Sequence, residues 1–470
     1  MTREQNDISD PGVKRLLYNQ QSIGQWLGRE ILHFPPSFSE HYPHIYKWDE
    51  LFADLYLAGK GYAQKAAVSA HNFFQGQRSD GLLPNIQFME KGRDGDLERQ
   101  TFMDGSKSSD YGQPLIEAMA VNEIYEGLCS EGDETGAISF VQTMYPHLKA
   151  SYDYYALDRR RGRHSPLIFN THPHETGRDS DPTFDFFKIR LEGLSPEIVR
   201  AADYFSSIAL GALHKLDRWQ THKIRHRFEV YDVMFNCIYA DNLYEMAGLA
   251  DKLASKSTGQ QSLEYTADAR RFYEQAQQVE QAILDEMWFA QEGENGVFLA
   301  LRPEGSIKEV SVSNLFPLLL RNLDEEQLES LLDQLENCFS PPGIEFPIPS
   351  VPPINPLTMK PNPKFDPHHK ERDRLWRGST WINMNWYLVE RGLDVQASRI
   401  DLAHRPDLIA RYQDWVQIIS ERSYKIVAGV GEWEYYNPIN SRPQRTNRTP
   451  GFSWSVLAYR LKDKYLKGLV

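Results

Sequence analysis

The sequence predicts an all-α protein, an (α/α)6 barrel built as a toroid of helical hairpins with long loops on the active-site rim. Three observations predict it. Apolar residues recur at helical spacing in about a dozen segments. No segment keeps period-two alternation, and neither βαβ alternation nor a G-x-G-x-x-G loop occurs. No fixed-length repeat signature is present, which disfavours an open solenoid and leaves a closed ring of hairpins.

Taken in order, residues 11–31 read as one amphipathic helix with Val13, Leu16, Leu17, Ile23, Leu27 and Ile31 apolar, ended by Pro35-Pro36. An aromatic stretch from His41 to Glu50 feeds a long helix with Leu51, Leu55, Ala58, Tyr62, Ala66 and Phe73 in phase, stopped by Asp80-Gly81. Helices follow Gln113-Pro114 to about Ser130 and over roughly 134–158. Further helical stretches cover roughly 197–220, 230–256, 261–289, 311–320, 324–337, 380–392, 404–425 and 453–468. Residues 293–310 suit a short hairpin. Pro341 to Pro367 is too dense in proline for a helix and must be a stiff, ordered loop. We expect one catalytic domain, residues 1–470, with rim insertions near 78–112, 159–196 and 340–375.

Bulk properties exclude several classes. With 41% hydrophobic and 12% aromatic residues the chain has ample core. The net charge of −13 argues against a nucleic-acid partner, which would need a concentrated basic surface. Cys129, Cys237 and Cys338 are odd in number and far apart, so buried thiols are expected rather than disulfides. Met1 to Asp7 has no apolar leader and no long uncharged apolar run follows, so a cytoplasmic protein without a membrane partner is expected.

The chemistry-bearing residues gather at loop-to-helix junctions, which in a barrel of hairpins would converge on one rim. Leu375 to Trp386 puts Trp376, Trp381 and Trp386 beside Arg377, Asn383 and Asn385, flat rings and fixed donors that suit a sugar. Hydrolysing a glycoside needs one protonated and one ionised carboxyl. Junction candidates are Asp49, Asp80, Glu175, Asp179, Asp181, Glu432 and Glu434. Singly, each is better explained as a helix cap or half of a surface ion pair; their company with aromatics and amides is what points to a site. Asp232 and Asn236, four apart on a helix, suit a cavity lining or a solvated face alike. The pairs His172/His174 and His368/His369 and the run Asp94-Gly95-Asp96 match no metal-ligand pattern, and G-x-S-x-G is absent. No metal and no cofactor is expected, and the partner expected is a small-molecule glycoside.

At these junctions the chain resembles glycoside hydrolase family 63, in its branch acting on glucosylglycerate and mannosylglycerate. The resemblance runs from about Tyr42 to Trp454. It rests on Tyr46-Lys47-Trp48-Asp49, Asp80 to Asn85, Gln113-Pro114, His174-Glu175-Thr176-Gly177-Arg178-Asp179, Asp232 to Asn236, Pro349-Ser350-Val351, Trp376-Arg377-Gly378, Glu434 to Pro438 and Phe452-Ser453-Trp454. It implies the same barrel and inversion at the anomeric carbon. By motif matching it implies Asp179 as general acid and Glu434 as general base, with Glu432 a rival. It further implies that Tyr42, Tyr46, Trp48, Asp49, Gln113, Glu175, Trp376, Arg377, Gly378 and Trp381 surround the substrate. Asp179 must hold its proton near neutrality, so burial beside aromatic rings and a raised pKa are expected. Three departures stand out. Asp179 is followed by Ser180-Asp181-Pro182 rather than Asn-Ser-Pro, His174 stands where an aromatic commonly precedes the glutamate, and Leu194 to Tyr204 matches the expected aglycone-holding element poorly.

The reading is therefore an inverting exo-acting α-glycosidase removing a terminal α-glucosyl or α-mannosyl unit from a small glycoside. A trehalase-like or oligosaccharide α-glucosidase of the same barrel, or a non-catalytic sugar-binding α/α barrel, are the alternatives.

Overall fold

A computed structural model describes residues 8–19, 24–26, 29–31, 33–37, 42, 44–89, 108–109, 111–159, 165–187, 228–290, 296–346, 348–368, 375–440, 442 and 450–467. The helix expected over 197–220 and the Leu194–Tyr204 stretch lie outside these. The chain divides into two compact units, residues 1–168, 238–282 and 449–457 forming one and residues 169–237, 283–448 and 458–470 the other.

In the first unit, α1 (Pro11–Asn19) buries Val13, Leu16 and Leu17 and starts where the Val13 amide donates to Asp10. It does not run to residue 31 as the periodicity predicts; Gly24–Trp26 and Arg29–Ile31 pair as antiparallel strands instead. Gly24 and Gly28 would each cost a helix interior about 1 kcal/mol, enough to end it early. The long helix expected over 51–73 is also two. α2 (Lys47–Ala58) stops at Gly59, and α3 (Ala63–Phe74) starts after Gly61, whose φ of +78° is left-handed. The Tyr62 amide then closes the end of α2 on the Leu57 carbonyl.

Two further hairpins follow, α4 (Glu117–Ser130) with α5 (Glu134–Asp158) and α6 (Val233–Lys256) with α7 (Gly259–Ala282). α2 is buried along its whole length, whereas α3, α5 and α7 each keep a solvent face. The buried helices are neighbours. α2 and α4 are tied by the buried Lys47–Glu117 ion pair (2.9 Å), and α4 and α6 by the Met119 amide donating to Asn242. The outer helices are tied by ion pairs from Asp268 of α7 to Lys149 and from Arg271 of α7 to Asp153, both partners on α5. An inner and an outer layer of alternating helices is the arrangement of an α/α barrel.

The second unit holds the predicted hairpin, Leu301–Arg302 with Gly305–Ser306. The stretch expected as helix over 311–320 is a 3₁₀ segment, Val312–Leu319, because Pro317 cannot donate to a longer-range ladder. α8 (Glu325–Gln334) begins with a reciprocal Asp324/Gln327 cap. The proline-dense stretch is a loop carrying one strand pair, Ile354–Asn355 with Lys360–Pro361. α9 (Ile382–Tyr387) continues through a π-helical stretch, Leu388–Leu393, into α10 (Asp394–Ala397). α11 (Pro406–Val430) packs on all three, and α12 (Leu457–Tyr465) closes the chain. All three cysteines are free thiols.

Candidate active site

The segment carrying Asp179 is a tight loop built from its own side chains. Glu175 is fully buried, and its carboxylate accepts both the Thr171 amide (2.6 Å) and the Thr171 hydroxyl. A 3₁₀ turn, Pro173–Thr176, is capped by His172 Nδ1 accepting the His174 amide, and Gly177 leaves it at φ +67°, a backbone that favours glycine. Arg178 then turns inward. Its guanidinium donates to Asp181, to Asp232 (2.5 Å) and to Ser311 (3.0 Å), all fully buried. Asp232 also receives the Ser313 hydroxyl and the Phe235 amide. One cation thus faces two carboxylates, each further bonded, which is what allows charges to stay buried.

With Arg178 committed inward, Asp179 faces out. Its side chain is 53% exposed, and its carboxylate lies 3.9 Å from His174 Nε2. The expected burial of Asp179 among aromatic rings is therefore not found. Two adjacent residues of a tight turn point to opposite sides, and the buried side is taken by the Arg178 network.

The segment carrying Glu434 starts where Gly431, at φ +90°, ends α11. The Tyr436 hydroxyl accepts the Trp433 amide and donates to the Gly431 carbonyl, closing a small ring around the two glutamates. Glu432 is buried and accepts the Tyr459 hydroxyl at 2.8 Å, whereas Glu434 is half-buried.

Residues 376–381 bracket both segments. The Trp376 amide donates to the Ser180 hydroxyl (2.9 Å), and Arg377 Nε donates to the Ser180 carbonyl (2.8 Å). The rest of the Arg377 guanidinium grips Asp185 with two nitrogens. Burial pushes the Asp185 carboxyl up, but hydrogen bonds and charge from Arg377 and Lys364 outweigh it and bring it down to about 2. On the other side, Thr380 and Tyr436 exchange two backbone hydrogen bonds (2.9 and 3.0 Å). Trp376 and Trp381 stack at 3.8 Å and 2°, and Tyr435 lies 5.0 Å from Trp381. Gly378 makes the bend at φ +140°, where an added Cβ would meet the Phe365 ring at 2.9 Å. One short loop thus holds the residue after Asp179 and the residues after Glu434.

Arg377 braces the Asp179 loop, and Glu175 accepts from Thr171. Sequence reasoning missed Ser180, Asp185 and Thr380, which look like ordinary loop residues in one dimension. In the first unit, Tyr42, Tyr46, Trp48 and Gln113 do come together. Tyr46 packs edge-on to Tyr42 (5.4 Å), Tyr42 to Phe452 (5.5 Å), Phe452 against Trp454 and Trp454 edge-on to Trp48 (5.8 Å). The Gln113 amide oxygen accepts the Trp48 backbone N–H at 2.9 Å, and Asp49 is buried on α2.

Known proteins share this plan. The family model for the mannosylglycerate hydrolase MGH1-like glycoside hydrolase domain matches residues 42–455. A mannosylglycerate hydrolase of Thermus thermophilus is 25% identical over 88% of this chain and 93% of its own length. A glucosylglycerate hydrolase of Mycolicibacterium hassiacum is 24% identical over 89% and 91%. A crystal structure of the family 63 mannosylglycerate hydrolase from Thermus thermophilus, in complex with Tris and D-glycerate, superposes with a TM-score of 0.70 at 22% identity, covering 96% of this chain and 99% of that one. That likeness shows the fold, the (α/α)6 class of helical hairpins. With a family model spanning most of its length, the chain belongs to the MGH1-like glycoside hydrolases of family 63.

Proposed function

We propose that the protein is an inverting, exo-acting α-glycosidase that releases a terminal α-glucosyl or α-mannosyl unit from a small glycoside such as glucosylglycerate or mannosylglycerate. Asp179 gives a proton to the glycosidic oxygen as the anomeric C–O bond breaks. Glu434 takes a proton from the water whose oxygen attacks the anomeric carbon from the opposite face. Single displacement needs a gap of roughly 6.5–9.5 Å between the carboxyls to admit that water.

The observation carrying this reading is the Trp376–Trp381 loop, bonded on one side to Ser180 and on the other to Tyr436. It supports a fixed spacing between the two carboxyl-bearing segments. The Tyr459 bond to Glu432 favours Glu434 over its rival as base. Relatives named for mannosylglycerate and glucosylglycerate support the substrate class. Tyr42, Tyr46, Trp48, Asp49, Gln113, Trp376 and Trp381 are proposed to bind the sugar, with Glu175, Arg377 and Gly378 shaping the loops.

The test is a screen of glucosylglycerate, mannosylglycerate, glucosylglycerol, trehalose and short α-glucans with the wild type, Asp179→Asn and Glu434→Gln. Both variants should stay folded and lose turnover by about 10²–10⁴-fold on whichever glycoside is cleaved. Near-full activity in either overturns the assignment.

A further inference from the structure

We propose that the segment Asn362–Pro367 is a strap tying the general acid's loop to the general base's segment, and that Lys364 is its positioning residue on the acid side. The inference rests on the reading of Asp179 as acid and Glu434 as base. Single displacement works only while the two carboxyls keep their separation, and a misplacement of about 1 Å can cost roughly 10²-fold in rate.

The strap is anchored along its length within the second unit. At its start, Lys364 Nζ donates to the Asp185 carboxylate (2.8 Å), on the 3₁₀ turn Pro182–Phe187 that follows Asp179. In its middle, the Asp366 amide donates to the Arg377 carbonyl (2.6 Å), and the Phe365 ring fills the space that a Cβ on Gly378 would need. At its end, the Pro367 carbonyl accepts Asn437 Nδ2 (2.9 Å), on the segment that carries Glu434. The strap therefore meets the acid side at the carboxylate that Arg377 also grips, and reaches the base side through a different residue from Tyr436.

Its path is fixed by its own residues. Asn362 is buried, and its amide donates to the Pro353 carbonyl (2.8 Å). Its side chain accepts the Lys364 amide (3.0 Å) and its carbonyl the Phe365 amide (3.1 Å), so the turn that presents Lys364 is closed locally. Pro361, Pro363 and Pro367 each fix φ, which leaves the strap little slack. Lys364 is paired with Asp185 and lies 4.0 Å from Glu309. Its side chain is 31% exposed, so the pair adds little to folding and its worth lies in holding position.

The experiment measures kcat and KM on the glycoside that is cleaved and on the α-glycosyl fluoride of the same sugar, for wild type, Lys364→Met, Lys364→Arg and Asp179→Asn. Fluoride departs with little help from a general acid, so a fault in the acid alone shows on the glycoside and fades on the fluoride. Lys364→Met should lower kcat on the glycoside about 10–10²-fold with KM held within about twofold, and the loss should shrink to about threefold or less on the fluoride. Lys364→Arg keeps the cation and should recover most of that loss. The urea midpoint of Lys364→Met should hardly move, which separates positioning from folding. Asn437→Ala cuts the far end of the strap, and the Lys364→Met/Asn437→Ala double variant should lose less kcat than the product of the two single losses. With Asp179→Asn showing the leaving-group effect, an unchanged kcat in Lys364→Met, equal losses on both substrates, or a double variant equal to the product overturns the strap alone. An Asp179→Asn protein that loses equally on both substrates overturns the acid assignment, and the role of Lys364 with it.

Discussion

Arg178 and Asp179 are sequence neighbours with opposite fates, one fully buried and the other 53% exposed. Arg178 is the sole cation bonded to buried Asp181 and Asp232 among the described residues. Arg178→Met would leave both carboxylates uncompensated, and we expect it to lower unfolding free energy by about 3–5 kcal/mol, read from urea midpoints. Unchanged stability would mean the network is solvated. The two glutamates of the Glu434 segment divide in the same way. Glu432→Gln keeps a hydrogen-bond acceptor for Tyr459 and should retain activity within about tenfold, whereas Glu434→Gln should lose about 10²–10⁴-fold in kcat. Equal losses would return Glu432 to contention. Sequence reasoning named both acids from their motifs, yet it placed Asp179 in an apolar pocket. Nothing in a one-dimensional pattern says which of two adjacent polar residues turns inward.

At the scale of elements, the Trp376–Trp381 loop depends on Gly378, where both the left-handed backbone and the Phe365 ring exclude a side chain. Gly378→Ala should cut kcat while leaving α-helical content unchanged, measured by steady-state kinetics beside circular dichroism; full activity would show that the bracket is not needed. α2 carries a second, unrelated feature. Glu50 and Asp54, one helical turn apart, are fully buried, and burial pushes both carboxyls up, Glu50 to about 7 despite bonds from Ser69 and the Phe34 amide. A carboxyl raised on folding contributes stability below its unfolded value near 4.5 that is lost as pH rises to about 7. Neighbouring His33, lowered to about 4 by burial, acts oppositely, losing stability as pH falls from 6.5 towards 4. Urea titrations should show Glu50→Gln gaining stability relative to wild type as pH rises from 4.5 to 7. A difference that is constant with pH would show that Glu50 does not titrate there. Element types were legible because α4 to α7 have clean helical phase and Asp133 and Asp324 mark the starts of α5 and α8. The ends of α1 at Asn19 and of α2 at Ala58 were not, since apolar residues stay in phase beyond them.

For the whole molecule, no described helix is long and apolar enough to cross a membrane. The fold class was legible from the helix count and the missing strand periodicity, and the family from short motifs at helix junctions, both matched by relatives covering most of the chain. The bracing pairs Arg377–Asp185 and Arg178–Asp232 were not legible, because each joins residues far apart in sequence with no local pattern. Those pairs hold the loop that carries Asp179, and the Thr380–Tyr436 backbone bonds hold the segment that carries Glu434. The most direct measurement is proton NMR of the sugar during the first moments of hydrolysis of an α-glycoside, before mutarotation. Single displacement by water predicts that the β-anomer appears first. Release of the α-anomer would mean a covalent intermediate and would contradict Asp179 and Glu434 as an inverting pair.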